Sequence, residues 1–237
     1  MEKDIKPFDK RIDKELKPFL AKAKKTYEVK ELERLGLAPE IEQWEMIMTY
    51  FTLIYKWNSD YGIIPKADEA TVFNKHFCDS LQPLLLFGFK KGATVFDIGA
   101  GGGFPSIPII IFRPDLTFTL SESNRKLVSF LKEVKEKLNL ENMEIVAKKC
   151  EKIEDPEKAY DYIISRNVGS MEKLSQLGKR FVTPEGRIYL FEPEDLMGEL
   201  TTITENKKAL GVEISEIAQY NLSPRDPEIN LVSLALV

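Results

Sequence analysis

Four glycines occur within five residues, at Gly99 and Gly101 to Gly103, in the segment TVFDIGAGGGFPSIP. A short apolar run that ends in Asp97 precedes them, and a second apolar stretch follows. This order predicts a buried strand that passes through a tight loop into a helix. Glycine allows positive φ and close approach of a ligand, and the first N–H groups of the helix point back at the loop. The stretch therefore predicts a site for a nucleotide-like ligand.

The spacing of these glycines separates the possible ligands. A dinucleotide-binding loop needs a glycine at its sixth position, where this chain has Phe104. A phosphate-binding P-loop is excluded, because no Lys-Ser or Lys-Thr pair follows the glycines. Asp97 followed by Gly-x-Gly-x-Gly suits a ligand without phosphate, such as S-adenosylmethionine. The alternative is a glycine-rich turn that binds nothing, at an entropic cost without a use.

Polar residues follow the next three predicted strands, at the edge where doubly wound sheets bind ligands. Glu122 could accept hydrogen bonds from ribose hydroxyls, or be a solvated loop acid. Cys150 and Glu151 lie where a loop would line an adenine pocket, although an ordinary loop is equally consistent with the sequence. Arg166 could pair with the methionine carboxylate or an RNA phosphate, or be an ordinary surface arginine.

His76 and Asp79 lie three residues apart, on one face of a predicted helix. Spacing alone favours a hydrogen bond on the helix surface. His76 is the single histidine of the chain, so we expect no metal site. The sequence also shows no Ser-His-Asp set, Cys-His pair or Cys-x-x-Cys motif.

The first third of the chain is predicted to be helical and the rest to alternate. Apolar residues at helical spacing predict helices over 8–25, 40–57 and 68–86. The later predictions are strands over 94–98, 116–121, 143–147, 160–165, 186–191, 212–219 and 229–236, and helices over 105–112, 124–138, 170–181 and 195–209. Such alternation predicts an α/β fold, a doubly wound Rossmann-like sheet with an antiparallel edge hairpin. We expect a helical N-terminal extension over 1–88 and a ligand-binding domain over 89–237.

The composition is that of an ordinary globular protein, with 43% hydrophobic residues and a net charge of −4. This charge does not resemble a strongly nucleic-acid-binding domain, so an RNA footprint would have to be local. No signal peptide or membrane span is visible, and Cys78 and Cys150 are interpreted as reduced thiols. We therefore expect a cytoplasmic protein that binds no membrane. The oligomeric state stays open, with a monomer favoured.

Several segments occur together in a characteristic order. They are KWN at 56–58, HFCDSL at 76–81, then DIGAGGGFPSIPIIIFRPD, LSES, RKLVSFLKEVKEKLNLEN and YIISR. Together they resemble the RsmG (glucose-inhibited division protein B) methyltransferases, most specifically at Gly-x-Gly-x-Gly-Phe-Pro. That family is a class I S-adenosyl-L-methionine-dependent methyltransferase with a helical N-terminal extension.

The resemblance implies methylation of nitrogen 7 of a guanine in small-subunit ribosomal RNA, with free RNA or the assembled small subunit as partner. Carried over by position, the cofactor contacts are Gly99, Phe104, Cys150, Glu151 and Arg166, and the loop spacing adds Gly101, Gly103 and Glu122. His76, Asp79 and Arg166 are candidates for substrate-side or organising roles. Since nitrogen 7 carries no proton, in-line alignment of the nitrogen, the methyl group and the sulfur matters more than a general base. The target base would be unstacked, against Phe104 or another aromatic residue.

Some positions depart from the family pattern. Ser106 stands where the family usually has glycine, and Glu192-Pro193 where it carries Lys-Gly. The C-terminal segment EINLVSLALV lacks the basic tail that the family often shows. These changes remove positive charge that would contact RNA phosphates. Two alternatives therefore stay open, a methyltransferase with a different substrate and a ribosome-associated module that binds the cofactor without catalysis.

Overall fold

A computed structural model describes residues 27–64, 72–154, 159–166, 168–192, 196–222 and 228–237. The predicted helix over 8–25 lies outside these residues. The helices are α1 (Tyr27–Arg34), α2 (Ile41–Tyr61), a π-helix (Phe73–Cys78), α3 (Gln82–Leu86), α4 (Ser106–Phe112), α5 (Arg125–Lys137), a 3₁₀-helix (Cys150–Lys152), α6 (Met171–Gly178) and α7 (Leu196–Leu210). The strands are β1 (Thr94–Ile98), β2 (Thr117–Ser121), β3 (Met143–Val146), β4 (Tyr160–Arg166), β5 (Val182–Glu192), β6 (Val212–Tyr220) and β7 (Ile229–Leu236).

Within the described residues the strands form one sheet, in the order β3-β2-β1-β4-β5-β7-β6. β1 pairs in parallel with both β2 and β4, so strand order reverses beside β1. β7 runs antiparallel between β5 and β6. The predicted doubly wound sheet with an antiparallel edge hairpin is confirmed. The carboxyl end of β1 is the position where such sheets bind their ligands.

Alternate side chains of the central strands enter two separate apolar cores. Val95 belongs to the core that includes side chains of α2, the π-helix, α4 and α5. Its neighbour Phe96 belongs to the core that includes side chains of α6 and α7. The helical extension therefore shares a core with the strand that precedes the glycines. A domain boundary at residue 88 stays a prediction.

Helix α2 has well-defined ends. It begins at a capping box in which the Glu40 N–H donates to the Gln43 side chain at 2.9 Å, while the Glu40 side chain accepts from the Gln43 backbone. It ends at Gly62, whose left-handed φ of 61° reverses the chain. The helix extends to Tyr61, beyond the predicted end at 57, because the residue that ends it is Gly62. After this turn the Ile64 N–H donates to Asn58 Oδ1 at 3.0 Å.

The predicted helix over 68–86 is interrupted. Its described part is the π-helix, a turn, and then α3, which has Pro83 in its first turn. Proline has no N–H to donate and favours the start of a new helix over the continuation of an old one. π-helical turns are rare and frequent at functional sites, and this one carries His76.

Strand β5 begins at Val182, earlier than the predicted 186. Pro184 and Gly186 usually interrupt strands, and here they lie where the pairing of β4 with β5 shifts register. The predicted helix over 170–181 correspondingly ends at Gly178. Among the helices of the described residues, none has the length and apolar character to cross a bilayer.

Candidate cofactor and substrate site

The glycine loop, residues 99–103, joins β1 to α4 at the carboxyl edge of the sheet. Its first, third and fifth residues have φ values of 75°, 56° and 89°, which L-residues rarely adopt. The N–H groups of Gly99 and Ala100 both donate to the Ser121 carbonyl at the end of β2, at 3.0 and 3.1 Å. The loop is therefore fastened to the end of the neighbouring strand.

The alternating glycines have different surroundings. A Cβ on Gly99 would come within 2.7 Å of Val168, and one on Gly103 within 2.6 Å of Ile107. A Cβ on Gly101 would meet nothing closer than the Gly99 carbonyl oxygen, 3.9 Å away. Packing thus demands the first and last glycines, whereas Gly101 has open space beside it.

Helix α2 and the turn after it support the loop from the other side. The Tyr50 hydroxyl donates to the Gly102 carbonyl at 2.6 Å, and Tyr50 is fully buried. A Cβ on Gly102 would lie 3.4 Å from Ile64. Sequence reasoning missed Tyr50, because it precedes Gly102 by 52 residues and has the spacing of an ordinary core residue.

Glu122 lies at the junction of β2, the glycine loop and α5. Its Oε2 accepts from the Gly101 N–H at 3.0 Å, and its Oε1 accepts from the Asn124 N–H at 2.7 Å. Asn124 in turn caps α5 by accepting from the Lys126 N–H at 2.9 Å. Each carboxylate oxygen can accept more than one hydrogen bond, so this position leaves acceptor capacity beside Gly101.

Asp97 is fully buried at the end of β1, and Ser106 at the start of α4 donates to its Oδ2 at 2.5 Å. Its Oδ1 has no hydrogen-bond partner among the described residues. Burial raises the pKa of Asp97 to about 7, against the opposing effects of the Ser106 hydrogen bond and of Arg166. Ser106, which stands where the family usually has glycine, therefore supplies a hydrogen-bond donor to Asp97 beneath the glycine loop.

Cys150 and Glu151 begin the 3₁₀-helix after β3. Cys150 is buried, and burial, with the Glu151 charge, raises the pKa of its thiol to about 11. This thiol is neutral at physiological pH and is not activated as a nucleophile. The Glu151 carboxylate is half-exposed and pairs with Lys173 at 3.0 Å.

Arg166, His76, Asp79 and Tyr220 form one contiguous group, the Arg166 cluster. Arg166 Nη1 donates to Asp79 Oδ2 at 2.9 Å and to the His76 carbonyl at 3.3 Å. Its Nη2 lies 3.0 Å from His76 Nδ1. The Tyr220 hydroxyl donates to Asp79 Oδ1 at 2.5 Å. The cluster joins the π-helix of the extension to the ends of β4 and β6.

The structure corrects two interpretations made from spacing. His76 and Asp79 do not form a hydrogen bond on a helix surface, because both contact Arg166 and Asp79 is buried. Arg166 is not an ordinary surface arginine, since its side chain is only 8% exposed. Tyr220 was missed entirely, and no signal in the sequence could have found it, because it follows Asp79 by 141 residues.

Burial dominates the electrostatics of the Arg166 cluster. Burial, together with the Arg166 and Lys75 charges, lowers the pKa of His76 to about 4. Burial also raises the pKa of Asp79, while Arg166 and Tyr220 favour its ionised form. Burial and the Asp79 charge raise the pKa of Tyr220, so it remains a hydrogen-bond donor.

The Phe104 side chain does not offer a free stacking face. It is 6% exposed, and its ring centroid lies 5.3 Å from that of Tyr50 and 5.4 Å from that of His76. The Arg166 guanidinium carbon lies 5.4 Å from the same centroid. The expectation that a target base stacks on Phe104 is therefore wrong for this side chain.

Two features bear on the remaining predictions. Within the residues that the structure describes, no group of three or more His, Cys, Asp or Glu side chains could hold a metal ion. The side chain of Glu192 and residues 193–195 lie outside the description, so the predicted charge reversal there has no structural account.

The sheet order, the glycine loop after β1 and the acid after β2 define a class I S-adenosylmethionine-dependent methyltransferase. Solved structures share this fold at low identity. The S-adenosylmethionine-dependent methyltransferase from Aquifex aeolicus is similar with a TM-score of 0.55 and 18% identity, covering 72% of this chain and 94% of that one. The precorrin-6y C5,15-methyltransferase from Geobacter metallireducens is similar with a TM-score of 0.52 and 18% identity, covering 76% and 96%.

The family model GidB, described as rRNA small subunit methyltransferase G, matches residues 43–226, so the chain belongs to this family. The ribosomal RNA small subunit methyltransferase G of Clostridium beijerinckii is 31% identical over 206 residues, which are 86% of each chain. The Lactobacillus helveticus protein of the same name is 36% identical over 176 residues, 72% of each chain. Family membership confirms the resemblance, the predicted enzyme class and S-adenosyl-L-methionine as the methyl donor.

Proposed function

We propose that the protein transfers a methyl group from S-adenosylmethionine to nitrogen 7 of a guanine in small-subunit ribosomal RNA. The observation that carries this proposal is the family match over residues 43–226, which includes the whole glycine loop and every member of the Arg166 cluster. The relatives in Clostridium beijerinckii and Lactobacillus helveticus are named for an action on small-subunit ribosomal RNA, which supports the substrate.

The backbone of Gly99, Gly101 and Gly103 and the Glu122 carboxylate hold the cofactor in this proposal. Two observations support the fit. Gly101 has open space where a Cβ would stand, and Glu122 lies on its N–H with acceptor capacity left for ribose hydroxyls. The buried Asp97 Oδ1 is a further acceptor beneath the loop. When bound, S-adenosylmethionine supplies an electrophilic methyl group on a sulfonium.

The loop after β3 and the end of the glycine loop complete the proposed site. Cys150 contributes through its backbone, because its side chain is buried in the core below α6 and α7. Glu151 keeps a half-exposed carboxylate beside Lys173 and lies where a loop would line the adenine. Phe104 contributes through its backbone and fixes the loop with its buried ring. Arg166 holds His76 and Asp79 at the rim.

The chemistry makes modest demands on this chain. Nitrogen 7 of guanine has a lone pair and no proton, so no side chain has to act as a general base. The rate would come from holding the nitrogen in line with the methyl group and from the electrostatics around a moving positive charge. Rigid surroundings serve this purpose, and the buried hydrogen bond from Tyr50 and the partly buried one from Tyr220 provide them.

The finer assignments of partner and place belong to the same proposal. The enzyme acts on small-subunit RNA, free or in the assembled small subunit, as a cytoplasmic monomer with a helical extension over 1–88 and a methyltransferase domain over 89–237. The thiols of Cys78 and Cys150 are both buried, which fits a reducing compartment. The shared apolar core supports an extension that works as one body with the domain.

Two measurements on the intact protein test this function. Isothermal titration with S-adenosylmethionine should give one binding event, and its absence at millimolar ligand would reject the site. Tritium-labelled methyl transfer should then be compared between free small-subunit RNA and assembled small subunits that lack the modification. Mapping should place the label on nitrogen 7 of one guanine. A label on another base would instead support a changed substrate, and binding without transfer a module without catalysis.

A further inference from the structure

We infer that His76 determines base specificity by donating a hydrogen bond from Nε2 to the O6 oxygen of the target guanine. This inference rests on the proposed function and deepens it, because it assigns the side chain that tells guanine from adenine. It uses contacts within the Arg166 cluster and the chemistry of the purine edge that carries nitrogen 7.

Arg166 fixes which nitrogen of His76 carries the proton. A guanidinium group has only donors, so Arg166 Nη2 can approach His76 Nδ1 at 3.0 Å only by donating to it. Nδ1 must then present its lone pair, and the proton of the neutral ring lies on Nε2. His76 is therefore a donor at Nε2.

The surroundings of His76 also keep its ring neutral. The charges that face it are the Arg166 guanidinium and the neighbouring Lys75, and Asp79 is engaged by Arg166 and Tyr220. Burial and both cations act in the same direction, and the pKa of His76 falls to about 4. One tautomer thus persists over the whole physiological range.

The ring is held at the rim of the cofactor crevice. Its centroid lies 5.4 Å from that of Phe104, which directly follows the glycine loop. Arg166 binds both its Nδ1 and its backbone carbonyl, so neither the ring nor its backbone can turn freely. His76 is partly exposed, and within the described parts of the chain no group accepts from Nε2. The Nε2–H group is therefore the donor that the proposal assigns to the base.

A fixed donor beside nitrogen 7 discriminates between purines. Guanine presents two acceptors on that edge, N7 and O6, whereas adenine presents N7 and an amino donor at N6. The His76 Nε2–H group would pair with O6 of guanine and would face a second donor on adenine. Leaving a positioned, partly buried donor without a partner disfavours the wrong base.

The first test reads the tautomer directly and needs no activity. Because the chain has one histidine, ¹⁵N NMR of imidazole-labelled protein reports His76 without assignment. We expect Nε2 to carry the proton from about pH 6 to about pH 8, with the ring neutral throughout. A proton on Nδ1, or a ring that is charged at pH 6, would overturn the inference.

The second test changes the base. Small-subunit RNA is prepared with guanosine, inosine or 2-aminopurine at the mapped position, since inosine keeps O6 and 2-aminopurine lacks it. We expect wild type to prefer inosine over 2-aminopurine in kcat/KM by roughly 10-fold. His76→Phe, which keeps a ring against Phe104, should reduce this preference to about one while its affinity for S-adenosylmethionine is unchanged. His76→Gln, which keeps a donor, should retain most of it.

The outcomes separate the two proposals. If wild type methylates no guanine, the proposed function fails. If wild type methylates guanine but His76→Phe keeps the inosine preference, or loses activity equally on both analogues, only the role of His76 fails. Should His76→Phe not fold, the same comparison in His76→Gln and the tautomer measured in wild type still decide the question.

Discussion

The two sides of the crevice at the carboxyl edge of the sheet are built in different ways. On the β1–β2 side, Gly101 has open space beside it and Glu122 is half-buried with acceptor capacity left over. On the β4 side, the side chains of Arg166 and Asp79 are 8% and 9% exposed and pair with each other. The first side is prepared for a ligand, whereas the second joins the extension to the sheet.

The largest expected effect lies on the β4 side of the crevice, where Arg166 and Asp79 pair. Arg166→Ala leaves the buried Asp79 carboxyl without its cation, which should lower the free energy of unfolding by about 3–5 kcal/mol. Urea denaturation measures this. Lys207→Ala is the matched control, because its ion pair with Glu213 is about half exposed and should contribute less than about 1 kcal/mol. Equal stability losses in the two variants would show that the Arg166 cluster is not a structural joint.

A change on the β1–β2 side of the crevice should alter the affinity for the cofactor. Gly101→Val fills the space beside the loop, and we expect its affinity for S-adenosylmethionine to fall about 100-fold, equivalent to about 2.7 kcal/mol. Gly36→Val is the control, since Gly36 also has a left-handed φ and nothing within 4 Å of an added Cβ, in the connection between α1 and α2. Both variants carry similar backbone strain, so calorimetry that finds equal affinities would place the ligand elsewhere.

These two regions were also unequally predictable. The glycine loop and Glu122 follow from local spacing, because a strand, a turn and a helix N-terminus are contiguous in sequence. The end of β4 at Arg166 was predicted too, and His76 and Asp79 were named as candidates, but their contacts with Arg166 were not predicted. Asp79 precedes it by 87 residues and Tyr220 follows Asp79 by 141, so only the finished topology brings them together. A tyrosine that holds a carboxylate has no signature in one sequence.

The pH dependence of stability tests Asp97, the buried acid beneath the glycine loop on the β1–β2 side. The pKa of Asp97 is about 7 in the folded protein and ordinarily 3.8, so the folded protein binds more protons than the unfolded chain between these values. Its contribution to stability should decline as pH rises from about 4 to about 7, by up to about 1.4 kcal/mol per pH unit. Asp97→Asn should lack this decline and should gain stability relative to wild type as pH rises. A pH-independent difference would mean that Asp97 is ionised throughout.

The smallest expected effect concerns the contact that connects the helical extension to the glycine loop, on the β1–β2 side of the crevice. Tyr50→Phe removes the donor to the Gly102 carbonyl and should lower the free energy of unfolding by about 1–2 kcal/mol. Affinity for S-adenosylmethionine should fall a few-fold, because the loop loses its support. Tyr160→Phe is the control, since its ring packs on Phe96 in the other core. If Tyr50→Phe binds the cofactor as wild type does, the extension plays no part in shaping the loop.

The central claim is that the β1–β2 side of the crevice binds the cofactor, whereas the β4 side joins the extension to the sheet. A crystal structure with bound S-adenosylmethionine tests this claim most directly. The account predicts that the nucleoside lies against Gly101 with its ribose hydroxyls on Glu122, while Arg166 keeps its hydrogen bonds to Asp79 and His76. A cofactor held away from the glycine loop, or an Arg166 that leaves Asp79 to bind the methionine carboxylate, would contradict it.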